Sequence, residues 1–246
     1  MTRRTPFALL LILSVAMWSG LPALARQPSS YQAVYQARAS GLSARAERSL
    51  EQTAEGEFLL SQHMEVRILG ARLGAVEESS RFLVLDDRIR PDSYSYRQSG
   101  ISRRNQNVQF NWEQEVATSS EDDESWQVPL TDGVVDKLSF QLLLRQRLSD
   151  PGVTELEIRM VDKDEVETHL YRVTGTEVID TGLGRLDTLK VERIRRPGSE
   201  RHTTFWLARD WDLLLVKFEQ TSGSGSDTEL LLEQATLAGQ EVTPRP

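Results

Sequence analysis

The residues able to do acid–base, nucleophilic or metal chemistry are thinly spread along this chain. Its three histidines are His63, His169 and His202, none within four residues of another, and there is no HExxH or CxxC spacing. A zinc centre needs three or four converging ligands, which this pattern does not supply. His63 and His169 fall in strand-like runs, where a histidine more commonly fills a satisfied sheet position. Glu121-Asp122-Asp123-Glu124 offers carboxylate oxygens but lacks the alternating ligand positions and central glycine of a calcium loop. It reads as a solvated loop tip, as do Asp162 and Asp164. Ser139 lies in no GxSxG turn, and inside a helix its hydroxyl is expected to bond a carbonyl one turn back. With 37 acidic residues a carboxylate pair for glycoside hydrolysis is available in number, but no spacing singles one out. The phosphate-cradling patterns GxGxxG and GxxxxGK[ST] are absent. Arg193, Arg195, Arg196 and Arg201 gather around Pro197-Gly198, and Arg103-Arg104 form a smaller cluster. Either group has the chemistry to meet an anionic headgroup, against the commoner reading of a solvated hairpin end. The sequence therefore nominates no catalytic residue, no metal and no cofactor.

The elements that would position these residues alternate with period two. In Gly56–Leu69 the even positions carry Phe58, Leu60, Gln62, Met64, Val66 and Ile68, with Ser61, His63, Glu65 and Arg67 between them, the pattern of a half-buried strand. Similar alternation marks Phe82–Leu85, Val108–Trp112, Leu156–Met160, Val166–Val173, Leu186–Ile194, Thr203–Ala208, Leu213–Phe218 and Thr228–Leu237. Tyr31–Ala39 and Ala44–Gln52 form a further pair around Gly41. Turn residues separate most of these runs, so roughly ten strands at hairpin spacing are expected. One segment differs. Val134–Leu148 contains no Gly or Pro, and Val135, Leu138, Leu142 and Leu144 or Leu148 recur at helical spacing. Asp132 is the expected N-cap, Arg145 and Arg147 suit the C-terminal dipole, and Asp150-Pro151-Gly152 is the stop. A helix this apolar needs burial on more than one side. The fold expected is mainly β: a curved antiparallel sheet or incomplete barrel with one apolar helix packed in its concave face.

The N-terminus reads as an address. Arg3-Arg4, the apolar run Phe7–Trp18 and Ala23-Leu24-Ala25 have the order of a cleavable signal peptide, with cleavage after Ala25. The apolar run is too short to span a bilayer, which takes about 20 residues. The absence of cysteine excludes a lipidated N-terminus. The expected organisation is residues 1–25 as signal peptide and 26–246 as a single β-rich domain, delivered to the periplasm and not transmembrane once processed. The whole chain has 246 residues and a formal charge of −8, and loss of the two leader arginines would make it −10. That balance argues against a general nucleic-acid binder, which needs a basic face.

Several segments resemble a known family of exported bacterial proteins, domain of unknown function 3108. They are Val128-Pro129-Leu130-Thr131-Asp132-Gly133 followed by Asp136-Lys137-Leu138-Ser139-Phe140, then Arg90–Tyr96, Val108–Trp112, Gly184–Val191 and Phe205–Asp210, in an order running from about Tyr31 to Leu237. Leu213–Phe218 departs from the resemblance, which leads one to expect a Pro before Val216. The resemblance implies no catalytic residues. The strand–helix–strand order and Trp206-Leu207-x-x-Asp210 are also similar to outer-membrane lipoprotein carriers. That likeness implies a curved sheet closed by helices around an apolar cavity.

Together these features point to a non-catalytic binding module for a hydrophobic or envelope-derived ligand, a small molecule or lipid. The expected lining residues are Phe110, Trp112, Leu138, Leu142, Trp206 and Phe218. The alternatives are an envelope glycan or lipid hydrolase and a scaffolding partner of another envelope protein.

Overall fold

The structure is a computed structural model describing residues 27–224 and 227–244. The expected leader lies outside the described residues. Alternation builds the sheet strand by strand. In β1 (Tyr31–Ala39), Tyr31, Ala33, Tyr35 and Ala37 are buried, while Gln32, Gln36 and Arg38 face water. The chain continues through β2 (Leu42–Gln52), β3 (Phe58–Ile68), β4 (Ala71–Leu85), β5 (Arg88–Gly100), β6 (Arg104–Asn111), β7 (Val116–Glu121), β8 (Glu124–Pro129) and the short β9 (Val134–Val135). The helix α1 (Phe140–Leu148) follows. Then come β10 (Glu155–Asp162), β11 (Glu165–Thr181), β12 (Gly184–Ile194), β13 (His202–Ala208), β14 (Leu214–Thr221), β15 (Thr228–Leu237) and β16 (Gln240–Glu241).

All these strands belong to one sheet. Its hydrogen-bonded order runs from β8 back to β1, crosses to β15, and runs back from there to β9, with β16 paired to β15. Two meanders are thus joined edge to edge through the β1–β15 pair. Pairing is antiparallel throughout, except for the parallel contact of β9 with β10. The sheet is curved and its ladder does not close, because β8 and β9 end the path unpaired to each other. Side chains bridge the gap instead. Lys163, in the β10–β11 turn, pairs with Glu121 at the end of β7 at 3.1 Å. Lys137, between β9 and α1, bonds both Asp162 of β10 and Gln106 of β6.

The helix lies against the buried face of this wall, as its apolar composition requires. Phe140 stacks on Tyr171 at 5.8 Å and meets Phe205 edge-on at 6.2 Å. Leu142, Leu144 and Leu148 are buried with it. Arg145 is buried too, its Nε donating to the Asp212 carbonyl at 3.0 Å and its guanidinium lying 5.3 Å from the Tyr31 ring. Phe58 and Phe82, stacked at 5.6 Å, extend the core across β3 and β4.

The helix is shorter than the sequence leads one to expect. Val134 and Val135, both β-branched, pair with Arg159 and Met160 as β9, and α1 begins at Phe140. The boundary is set by Asp136 rather than Asp132. Asp132 is exposed and pairs with Arg88, whereas Asp136 Oδ1 accepts the N–H groups of Leu138 and Ser139, both at 2.8 Å. Ser139 Oγ donates to the Asp136 carboxylate at 2.7 Å, not to a carbonyl one turn back.

Antiparallel pairing sorts the turns into two rims. At one end, Asp87 and Asp212 meet the C-terminal half of α1, which closes that end. The other end is an open mouth. Its rim is made by Ser40-Gly41, Leu69-Gly70, Ile101-Ser102-Arg103, Asp122-Asp123, Lys163-Asp164 and the segment Arg195–Arg201.

A two-walled hollow below the helix

The site is built from residues that break the apolar run on the inner face. Asp136 is fully buried. Its second oxygen accepts Ser80 Oγ at 2.6 Å and Ser139 Oγ at 2.7 Å, so with the two N–H groups it takes four hydrogen bonds. Burial pushes its carboxyl above the ordinary range, while those bonds favour the charged form. All four contacts serve the start of α1 and its attachment to β4. This is an anchor, with no lone pair left for a substrate.

One layer nearer the mouth lies Glu78 of β4. Tyr94 Oη donates to its Oε1 at 2.6 Å and Gln62 Nε2 approaches its Oε2 at 3.4 Å. Burial pushes the Glu78 carboxyl up to about 7, against the opposing pull of Tyr94 and Arg48. Arg48, only 7 % exposed, reaches from β2 to Gln62 and to Gln141 of the helix, and its guanidinium lies 5.8 Å from the Tyr35 ring. The alternation carries the signal for these groups: Arg48 sits in phase with Ala46 and Leu50, and Gln62 in phase with Leu60 and Met64. A polar residue at an inward position is the informative exception to a buried stripe.

Beyond Glu78 the two walls of the hollow diverge in chemistry. On β1–β5, Ala39, Leu42, Met64, Val66 and Val76 line a cavity of about 190 Å³ with Ile101 at its lip. Leu69 and Ile101 are exposed at 102 % and 87 %, so this stretch of rim is apolar and wet. Gly74 and Gly100 face each other there, where a Cβ on Gly100 would come within 2.2 Å of the Leu73 carbonyl oxygen. On β11–β13 the corresponding level carries His169, Arg193, Arg195 and Thr203. Near the seam, Glu121 accepts from Arg104 at 2.8 Å and pairs with Lys163; the Arg104 bond first, with those of Gln106 and Lys163, holds its carboxyl down at about 2.

The six residues expected to line a site are not brought to one cavity. Leu138 and Leu142 are core residues, and the spaces between α1 and the sheet amount to only about 10 and 50 Å³. Phe110 stacks on Trp112 at 5.9 Å, and Trp112 Nε1 donates to the Pro91 carbonyl at 2.6 Å. Trp112 borders a separate crevice near Leu130 and Arg90. Phe218 packs on Phe205 at 5.2 Å, but Trp206 points to the opposite face. There its Nε1 donates to Glu177 at 2.8 Å and its ring is covered by Lys190 and Lys217. His63 stands on the outer face opposite Glu77, and His202 is exposed.

That outer face has a groove of its own, of about 1060 Å³, crossed by a row of paired serines, Ser49, Ser61, Ser79 and Ser95. Glu47, His63, Glu77 and Arg97 run alongside, with Arg97 and Glu77 paired at 3.8 Å. Arg97 and Glu77 pair across neighbouring strands and Glu47 pairs with Arg45 of its own strand, as on a solvated sheet face.

Fold and site define a class: a curved, unclosed β-wall with one helix plugging one end and a polar hollow opening at the other. The chain belongs to the family described as Protein of unknown function (DUF3108), whose model matches residues 31–232. No curated protein matches it in sequence. Among solved structures it is similar to a beta-barrel-like DUF1849 protein from Brucella abortus, at 9% identity and a TM-score of 0.55, covering 86% of this chain and 98% of that one. It also aligns with the Pseudomonas aeruginosa MucA/MucB complex, at 13% identity and a TM-score of 0.35, over 88% of this chain and 53% of that one. The first likeness shows a shared fold. Among the described residues no helix is long and apolar enough to cross a membrane.

Proposed function

We propose that residues 26–246 form a single periplasmic domain, released from the 1–25 leader, that acts as a non-catalytic binding module for an amphipathic, envelope-derived ligand. The observation that carries this reading is the asymmetry of the mouth. One wall and rim are apolar, with Leu42, Met64, Val66, Val76, Leu69 and Ile101, and the other is basic, with Arg193, Arg195 and Arg201. Exposed apolar side chains clustered at the lip of a hollow mark a contact surface rather than a core. An aliphatic chain fits the first wall and a charged head the second, with Glu78, Arg48 and Gln62 behind them as the polar floor. Binding beneath α1, by contrast, has no room. The hydrolase reading loses its carboxylate pair here, because both oxygens of Asp136 are committed to holding the helix. Native mass spectrometry of the processed protein, gently purified from envelopes, tests the proposal. An adduct removable by organic extraction is expected. A bare chain mass, together with no uptake of aliphatic probes, overturns it.

A further inference from the structure

The basic wall is short of negative charge. Arg193 stands opposite Tyr171 on the inner face, with its side chain 21% exposed, and the one carboxylate within ion-pair reach among the described residues is Glu167, at 3.8 Å. Glu167 is itself shared, accepting His169 Nε2 at 2.7 Å, and is 40% exposed. Arg195 reaches inward to Thr203 Oγ1 at 3.3 Å and has no carboxylate partner among the described residues. Thr203 is buried and in turn donates to Gln220 Oε1 at 3.4 Å. Two buried polar atoms here, His169 Nδ1 and Arg195 Nε, have no hydrogen-bond partner among the described residues, although His169 is only 7 % exposed. Burial lowers the pKa of both Arg193 and Arg195; Arg193 and Arg201 lower that of Arg195 further, and at Arg193 Arg201 lowers it while Tyr171 and Glu167 oppose the shift. Half-buried cations facing one shared carboxylate, with the Arg195 Nε donor unsatisfied, are an arrangement that a bound anion completes.

We propose that Arg193 and Arg195, the latter held by Thr203 and with the neutral His169 on the neighbouring strand, form a phosphate-binding site at the basic wall of the mouth. Two guanidinium forks suit a tetrahedral group that carries roughly two negative charges and three acceptor oxygens, while the neutral His169 leaves Nδ1 as an acceptor for a protonated phosphate oxygen. A single carboxylate would leave part of that charge unanswered. The site deepens the binding reading, on which its physiological meaning rests, by giving the ligand's head its chemistry. The phosphate comes either from a lipid headgroup, whose chain would lie on the Met64–Val66–Val76 wall, or from the free ion.

Calorimetric titration of the processed full-length protein at low salt tests the site, using inorganic phosphate, decyl phosphate below its micellar concentration, and decanol as the uncharged control. Wild type is expected to bind decyl phosphate, and Arg195→Gln and Arg193→Gln each to bind it at least ten-fold more weakly with unchanged melting temperature. Arg97→Gln, on the outer face, should bind as wild type does. Decyl phosphate binding much tighter than phosphate assigns the head to a lipid, and equal affinities assign it to the free ion. Either outcome supports the site. Wild type binding neither phosphate compound, or both Gln variants binding as tightly as wild type, overturns it. If decanol binds while the phosphates gain nothing over it, the phosphate site falls and the apolar binding reading stands. Failure of every aliphatic probe removes that reading as well.

Discussion

Replacing Glu78 with Gln removes an ionisable group from the floor of the hollow while keeping an acceptor for Tyr94. In the native protein burial raises this carboxyl from 4.5 to about 7. The native state therefore holds its proton more tightly than the unfolded chain does, and stability falls as pH rises across that interval. Below pH 4.5 the group is protonated in both states and contributes nothing. Above 7 the whole penalty is present, about 3 kcal/mol for a displacement of this size. His169 and Glu121 titrate in the same experiment, but equally in both proteins, so the difference between variant and wild type isolates Glu78. Urea unfolding followed by tryptophan fluorescence from pH 4 to pH 8 reads that difference directly. The account requires Glu78→Gln to gain on wild type by about 3 kcal/mol between these limits, most of it between pH 4.5 and 7. A stability difference that does not change with pH would refute the claim that this carboxyl is desolvated.

Asp136→Ala removes four hydrogen bonds and strands the Ser80 hydroxyl and the two N–H groups of Leu138 and Ser139, in the turn that leads into α1; a loss of about 3 kcal/mol or more is expected in the same unfolding assay. A loss under 1 kcal/mol on that scale would mean that Asp136 does not anchor α1. Leu138, 1 % exposed, tolerates no charge, so Leu138→Asp should leave the domain unfolded by circular dichroism at ambient temperature. The rim should behave in the opposite way. Leu69→Ser with Ile101→Ser is expected to shift stability by no more than about 0.5 kcal/mol, since both side chains are wet, yet to weaken decyl phosphate binding several-fold by calorimetry. Unchanged binding there would detach the apolar rim from the ligand.

The mainly-β architecture and its single helix were legible because period-two alternation survives wherever one face is dry. Tyr31–Ala39 is read correctly to the residue. Strand β5 escaped because Arg88–Gly100 is rich in Arg and Ser and contains Pro91, which lies beside a register shift between Arg81 and Phe82. The helix was placed six residues too early because Val134-Val135 continue an apolar helical spacing, although their branching and the Asp136 cap favour a strand and a fresh start. The lining residues were chosen as large apolar side chains, and such residues pack against one another. The hollow is marked instead by polar residues in phase with the dry face, Arg48, Gln62, Glu78 and His169. The arginines around Pro197-Gly198 were visible in the sequence as a cluster. That two of them turn inward depends on β12 and β13 keeping their alternation to the rim, a tertiary fact.

Backbone amide NMR spectra of the isotope-labelled, processed protein, recorded while decyl phosphate is added, test the central claim most directly. The account predicts shifts confined to the mouth, at Met64, Val66, Val76 and Ile101 on one wall and His169, Arg193 and Arg195 on the other. Shifts gathered instead along Ser49, Ser61, Ser79 and Ser95 on the outer face, with the mouth unmoved, would contradict it.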